Sequence, residues 1–119
     1  MKSILSTGIY LFFSLTLLAQ TEQTFIDIAD SLFELGEYET SKTAYENVVI
    51  KKQSKISPQY LYCQTQIVEC DIRLNNLEEA QSLVTNCLTF CPDNLISERA
   101  LLENSHAKIL YQKGQLEQA

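Results

Sequence analysis

The sequence has no Trp, one Met, one His, three Gly and two Pro. With so few chain breakers, the composition suits long helices joined by short turns. A single His excludes the multi-His zinc sites, and no HExxH run is present. Positive charge is also scarce, nine Lys+Arg against fifteen Asp+Glu, a formal net charge of −6. Displacing counterions from phosphates needs clustered cations, so no nucleic-acid partner is expected. Anionic membrane surfaces are disfavoured for the same reason. There is no glycine-rich phosphate loop and no calcium loop, so neither cofactor nor metal is expected. At 119 residues the chain is one domain or less.

Four Cys occur, at 63, 70, 87 and 91, without a C-x-x-C pair. Zinc and thioredoxin-type chemistry are therefore weak readings. Cys63 and Cys70 lie two turns apart on one helix, about 10 Å, too far for a disulfide. A bridge between neighbouring helices, such as Cys70 to Cys87, is geometrically open and export would permit it. The alternative is that these Cys are small apolar residues in tight helix packing, favoured at Cys87. His106 with Cys87 or Cys91 has the composition of a nucleophile and base. No orienting third residue accompanies them, so the chain is not read as an enzyme.

The one long uncharged apolar run is Ile4 to Leu18, preceded by Lys2. Its fifteen residues fit a signal-peptide core, shorter than the ~20 that span a bilayer. Small Ala19 marks the expected cut, although Leu17 is large for the usual pattern. Residues 1–19 are therefore expected to be a signal peptide and the mature chain to be exported, periplasmic or extracellular. An uncleaved segment tethering the chain to a membrane is the alternative.

After this run the chain repeats itself. Gly36-Glu37-Tyr38-Glu39-Thr40-Ser41, Asn75-Asn76-Leu77-Glu78-Glu79-Ala80 and Gly114-Gln115-Leu116-Glu117-Gln118-Ala119 follow one another at intervals of 39 residues. Each has Gly or Asn, then Tyr or Leu, Glu and a small residue in phase. A fixed period of this size marks stacked supersecondary units. Glu39, Glu78 and Glu117 fall in the first turn of a helix, where a carboxylate contributes about 0.3–1 kcal/mol against the free N–H groups.

The expected elements follow from caps and periodicity. Thr21 is a candidate cap for a first helix with an apolar stripe of Phe25, Ile28, Ala29 and Leu32, ended at Gly36. A second helix from Tyr38 carries Ser41, Tyr45, Val48 and Val49 inward. Ser57-Pro58 starts a third, to about Leu74, with Leu61, Ile67, Val68 and Ile72 inward and Gln64 and Asp71 interrupting. The fourth carries Leu77, Ala80, Leu83, Val84, Cys87 and Leu88 and ends at Pro92. The fifth, about Leu95 to Lys113, carries Ile96, Ala100, Leu101, Ala107 and Leu110, and Gly114 is expected to turn the chain into a sixth. A helix without an antiparallel mate leaves its stripe bare, so the chain is expected to be the N-terminal part of a longer protein.

These residues resemble the tetratricopeptide repeat. The second copy carries the likeness in Asn75, Leu77, Ala80, Val84, Cys87, Leu88 and Pro92. The first carries it in Phe25, Ile28, Ala29, Leu32, Gly36, Tyr38, Ser41, Tyr45 and Val48, the third in Ala107, Leu110, Gly114, Leu116 and Ala119. The interval of 39 exceeds the family's usual 34, and Gln64, Asp71, Glu103 and His106 replace apolar or small residues. The resemblance implies an all-α fold, antiparallel helical hairpins stacked as a right-handed α-solenoid, with units of about 22–56, 57–94 and an incomplete 95–119. It also implies a protein-interaction scaffold whose first helices line a concave groove for a peptide or partner protein. Transferred by position, the groove takes Ile26, Asp30 and Phe33, then Tyr62, Thr65, Glu69 and Arg73, then Asn104, Lys108 and Tyr111. The Lys and Asn clamp for a C-terminal carboxylate is not reproduced, since Ile26 and Asp30 stand where it would begin. Long-period arrays also resemble input regions ahead of histidine kinases or caspase-like peptidases, which makes a sensory region the alternative role.

Overall fold

A computed structural model describes residues 21–52 and 54–118, with side chains through residue 115. The expected signal segment lies outside the described residues, as do the side chains of Leu116 and Glu117. The described chain is helical throughout, with no strand. Helix α1 covers 21–34, α2 is Tyr38–Lys51, α3 Pro58–Arg73, α4 Leu77–Phe90 and α5 Ile96–Gln118.

Two turns at the 39-residue interval have the same bonding. Gly36 has φ 82° and Asn75 has φ 63°, the left-handed conformation that closes a helix end. Glu37 N–H donates to Leu32 O at 2.9 Å, and Asn76 N–H to Asp71 O at 2.8 Å. Gly114 differs. It lies inside α5, which runs on to Gln118, so the expected turn and sixth-helix start are not formed. A helical Gly costs about 0.5–1 kcal/mol, too little alone to end a helix.

Two other end signals hold. Ser57 Oγ accepts from Tyr60 N–H at 3.1 Å and Pro58 opens α3. Cys91, before Pro92, is extended and closes α4. Thr21 is helical and is the first described residue, so the start of α1 lies outside the described residues.

Adjacent helices pack through two apolar clusters. Ile26, Ala29, Tyr45, Val48, Cys63, Ile67 and Cys70 join α1, α2 and α3. Leu61, Val68, Ile72, Ala80, Val84, Cys87, Leu102 and Ile109 join α3, α4 and α5. Fully buried Ser41 lets α1 and α2 approach, its hydroxyl donating to Ala29 O at 2.8 Å. Helix α3 is central and is buried nearly all round. Its two polar interruptions are satisfied. Gln64 donates to Tyr60 Oη at 2.8 Å, and Asp71 meets Lys42 Nζ at 2.8 Å.

The outermost described helices differ from the stripes their sequences suggested. In α1 the buried residues are Ile26 and Ala29, while Phe25 and Ile28 are about half exposed. In α5 they are Leu102, Ser105 and Ile109, and Ile96, Ala100, Leu101, Ala107 and Leu110 are all exposed. The cause is geometric. Each helix has an apolar arc wider than its contact with the described neighbours, so only one side of the arc is covered.

Candidate functional site

The candidate surface is the side that α1, α3 and α5 share. It is tied together by polar contacts between successive members of that set. Asp30 Oδ1 on α1 accepts from Tyr62 Oη on α3 at 2.7 Å and also from Tyr45 Oη on α2. Gln66 donates to the same Tyr45 oxygen at 3.3 Å. Burial, then the Asp30 hydrogen bond, pushes the Tyr62 phenol up to about 12, and the same two causes raise Tyr45 further. Both phenols are therefore neutral donors at ordinary pH. From α3 to α5 the link is Glu69, whose Oε1 meets Lys108 Nζ at 2.9 Å and accepts from Ser105 Oγ at 3.0 Å.

Arg73 closes the C-terminal end of α3. Its guanidinium lies 5.6 Å from the ring centres of both Phe33 and Tyr38, and it donates to Tyr38 Oη at 3.1 Å. Phe33 and Tyr38 meet edge to face with centroids 5.2 Å apart. The chain thus holds Arg73 over two rings, with one face of the cation exposed.

The sequence-expected residues divide into three groups. Asp30, Phe33, Tyr62, Glu69, Arg73 and Lys108 are brought to this side in linked pairs. Asn104 and Tyr111 are exposed on α5, with Tyr111 Oη accepting from Gln115 at 2.9 Å. Thr65 and Ile26 are corrections. Thr65 is buried and its hydroxyl donates to Leu61 O at 2.8 Å, so it presents nothing to a ligand. Ile26 belongs to the apolar cluster of α1, α2 and α3. Ile26 is covered by α2 and α3, whose residues share its cluster.

Two clefts accompany this surface. One, about 320 Å³, is lined by Gln23, Asp30, Pro58, Gln59, Tyr62 and Glu98, with Ile26 at its base. Neither Asp30 nor Glu98 has a cationic partner among the described residues, so the cleft is electronegative. Glu98 was missed because it lies in the first turn of α5, before the transferred offsets begin. The other cleft, about 650 Å³, lies between α1 and α2 and includes Phe25, Ile28, Ala44, Val48 and Lys51. Lys51 Nζ lies 5.4 Å from the Phe25 ring centre.

The thiols are built for packing. All four are free and buried, and burial pushes Cys63, Cys70 and Cys87 each up to about 11. The Cys70–Cys87 bridge is absent, and the two thiols sit in different apolar clusters. A thiol titrating that high holds very little thiolate at neutral pH, which is the opposite of nucleophile activation. No group of three or more His, Cys, Asp and Glu able to hold a metal occurs among the described residues. No helix among them is long and apolar enough to cross a membrane. No protein-family model, curated protein or solved structure matches this chain.

Proposed function

We propose that this chain is a protein-interaction scaffold of the tetratricopeptide type, binding a peptide or partner protein along the side shared by α1, α3 and α5. The observation that carries the reading is the alignment of Asp30–Tyr62, Arg73 over its two rings and Glu69–Lys108 across those three helices. Asp30, Glu69 and Lys108 recur at the 39-residue interval, which supports a solenoid stack, in which such a side becomes a concave groove. Fixed aromatics with mixed charge suit a protein ligand. The electronegative cleft at Asp30 and Glu98 favours a basic side chain of that ligand. The high-titrating buried thiols support a role in recognition, with no chemistry of its own.

Affinity capture with the full chain tests the reading. Wild type is compared with Arg73→Glu and Lys108→Glu, each checked for native helicity. Weaker recovery of the same partner by the folded variants is expected. Equal recovery sinks the assignment.

Export belongs to the same proposal and rests on the Ile4–Leu18 run before Ala19. The intact mass of the exported product is expected to correspond to a chain starting at Gln20. A secreted product retaining Met1 contradicts it.

A further inference from the structure

The exposed arc of α5 is a heptad seam with no mate among the described helices. Ile96, Ala100, Glu103, Ala107, Leu110 and Gly114 follow one another at steps of four, three, four, three and four residues. That is the spacing of the contact positions in a two-helix coiled coil. Ile96 is 74 % exposed and Leu110 50 % exposed. Ala100, Glu103 and Ala107 are exposed as well. No atom lies within 4 Å of where a Cβ would stand on Gly114.

The seam is self-complementary when reversed. Bulky Ile96, Glu103 and Leu110 alternate with small Ala100, Ala107 and Gly114. In an antiparallel pair each layer joins one bulky position to one small one. Ile96 meets Gly114, Leu110 meets Ala100 and Glu103 meets Ala107. A small residue opposite a large one fills the layer without a void or a clash. The only charged seam residue is acidic. On the edge beside it, Arg99 is held by Cys91 O and Asp93 and Lys113 by Glu78 and Gln81, which leaves His106 to face it. Reversal sets each Glu103 carboxylate next to His106 of the second copy.

We propose that α5 pairs with α5 of a second copy of this chain, antiparallel, about a two-fold axis level with Ser105. The contact is isologous and closed, so it yields a dimer and no larger array. A single helix pair buries less than the ~1,200 Å² of a stable standard interface. The dimer is therefore reversible, with dissociation at roughly micromolar concentration. Its seam shares no residue with the Asp30–Glu98 cleft, so it stands or falls separately from recognition there.

Sedimentation equilibrium of the full chain over a wide concentration range tests it, with circular dichroism confirming helicity of every variant. The expected mass rises from one chain to two. Ala107→Glu is expected to hold the chain at one. Ala100→Leu puts two large residues in one layer and is expected to weaken association about tenfold. Adding Leu110→Ala restores the large–small order and is expected to restore the dimer. A single-chain mass at every concentration overturns the proposal. Association unchanged in Ala107→Glu, or not restored by the Ala100→Leu/Leu110→Ala exchange, overturns it equally.

Discussion

Asn75 holds φ 63° at the turn where the preceding copy has Gly36 at φ 82°. A left-handed residue with a Cβ costs about 1–2 kcal/mol, partly recovered for Asn by its short polar side chain. Asn75→Gly is therefore expected to raise stability by up to about 1 kcal/mol, and Asn75→Val to lower it. Chemical denaturation of the three proteins reads both signs. The neighbouring Lys42–Asp71 pair has the larger consequence. The Asp71 side chain is 3 % exposed, with Lys42 Nζ at 2.8 Å and Asn76 Nδ2 at 3.4 Å. Lys42→Ala leaves that carboxylate nearly unpaired. The expected loss is about 2–3 kcal/mol, below the full cost of an orphaned buried charge because Lys42 itself is partly in solvent. A loss under half a kcal/mol contradicts this account of the pair.

Element starts and stops were legible because each has a local cause. Ser57-Pro58, Pro92 and Gly36 act through their own backbone and side chains, and the helices begin and end beside them. The facing of the outer helices was not legible. Phe25 and Ile28 on α1, and Ile96 and Leu110 on α5, are as apolar as the residues that are buried. Which side of such an arc is covered depends on the neighbour, which periodicity does not encode. The candidate surface divides on the same ground. Tyr62, Arg73 and Lys108 keep polar atoms linked across helices, whereas Thr65 is buried and bonds within its own helix. Gly114 is the sharpest difference, a turn residue by phase and a helical residue in fact. Because a Cβ there meets nothing within 4 Å, Gly114→Ala is expected to stabilise the protein by about 0.5–1 kcal/mol. A turn at that position gives the opposite sign in thermal denaturation.

The whole molecule is expected to be base-sensitive. Cys63, Cys70 and Cys87 are pushed from an ordinary value of 9.0 up to about 11 by burial. The unfolded chain loses these protons first as pH rises. Stability from keeping the thiols neutral is thus complete below about pH 9 and is lost on the way to 11. The Lys42 ammonium, raised by its hydrogen bond to Asp71, adds to this in the same sense above 10.5. The denaturant midpoint is expected to be flat from pH 7 to 8.5 and to fall between 9 and 11. Replacing Cys63 and Cys70 with Ala is expected to flatten that fall, whatever it does to stability at pH 7. A midpoint that stays level to pH 11 contradicts the burial of these thiols.

The central claim is that α1, α3 and α5 jointly present a protein-binding side. The most direct measurement places a photo-crosslinking residue at Gln59, on the Asp30–Glu98 cleft, or at exposed Asn104 on α5, and at exposed Glu46 or Asn86 on α2 and α4 as controls. Crosslinking in the producing cell is then read by mass spectrometry. The account predicts one protein adduct shared by Gln59 and Asn104 and absent from Glu46 and Asn86. An adduct confined to the α2 and α4 positions, or shared equally by all four, contradicts it.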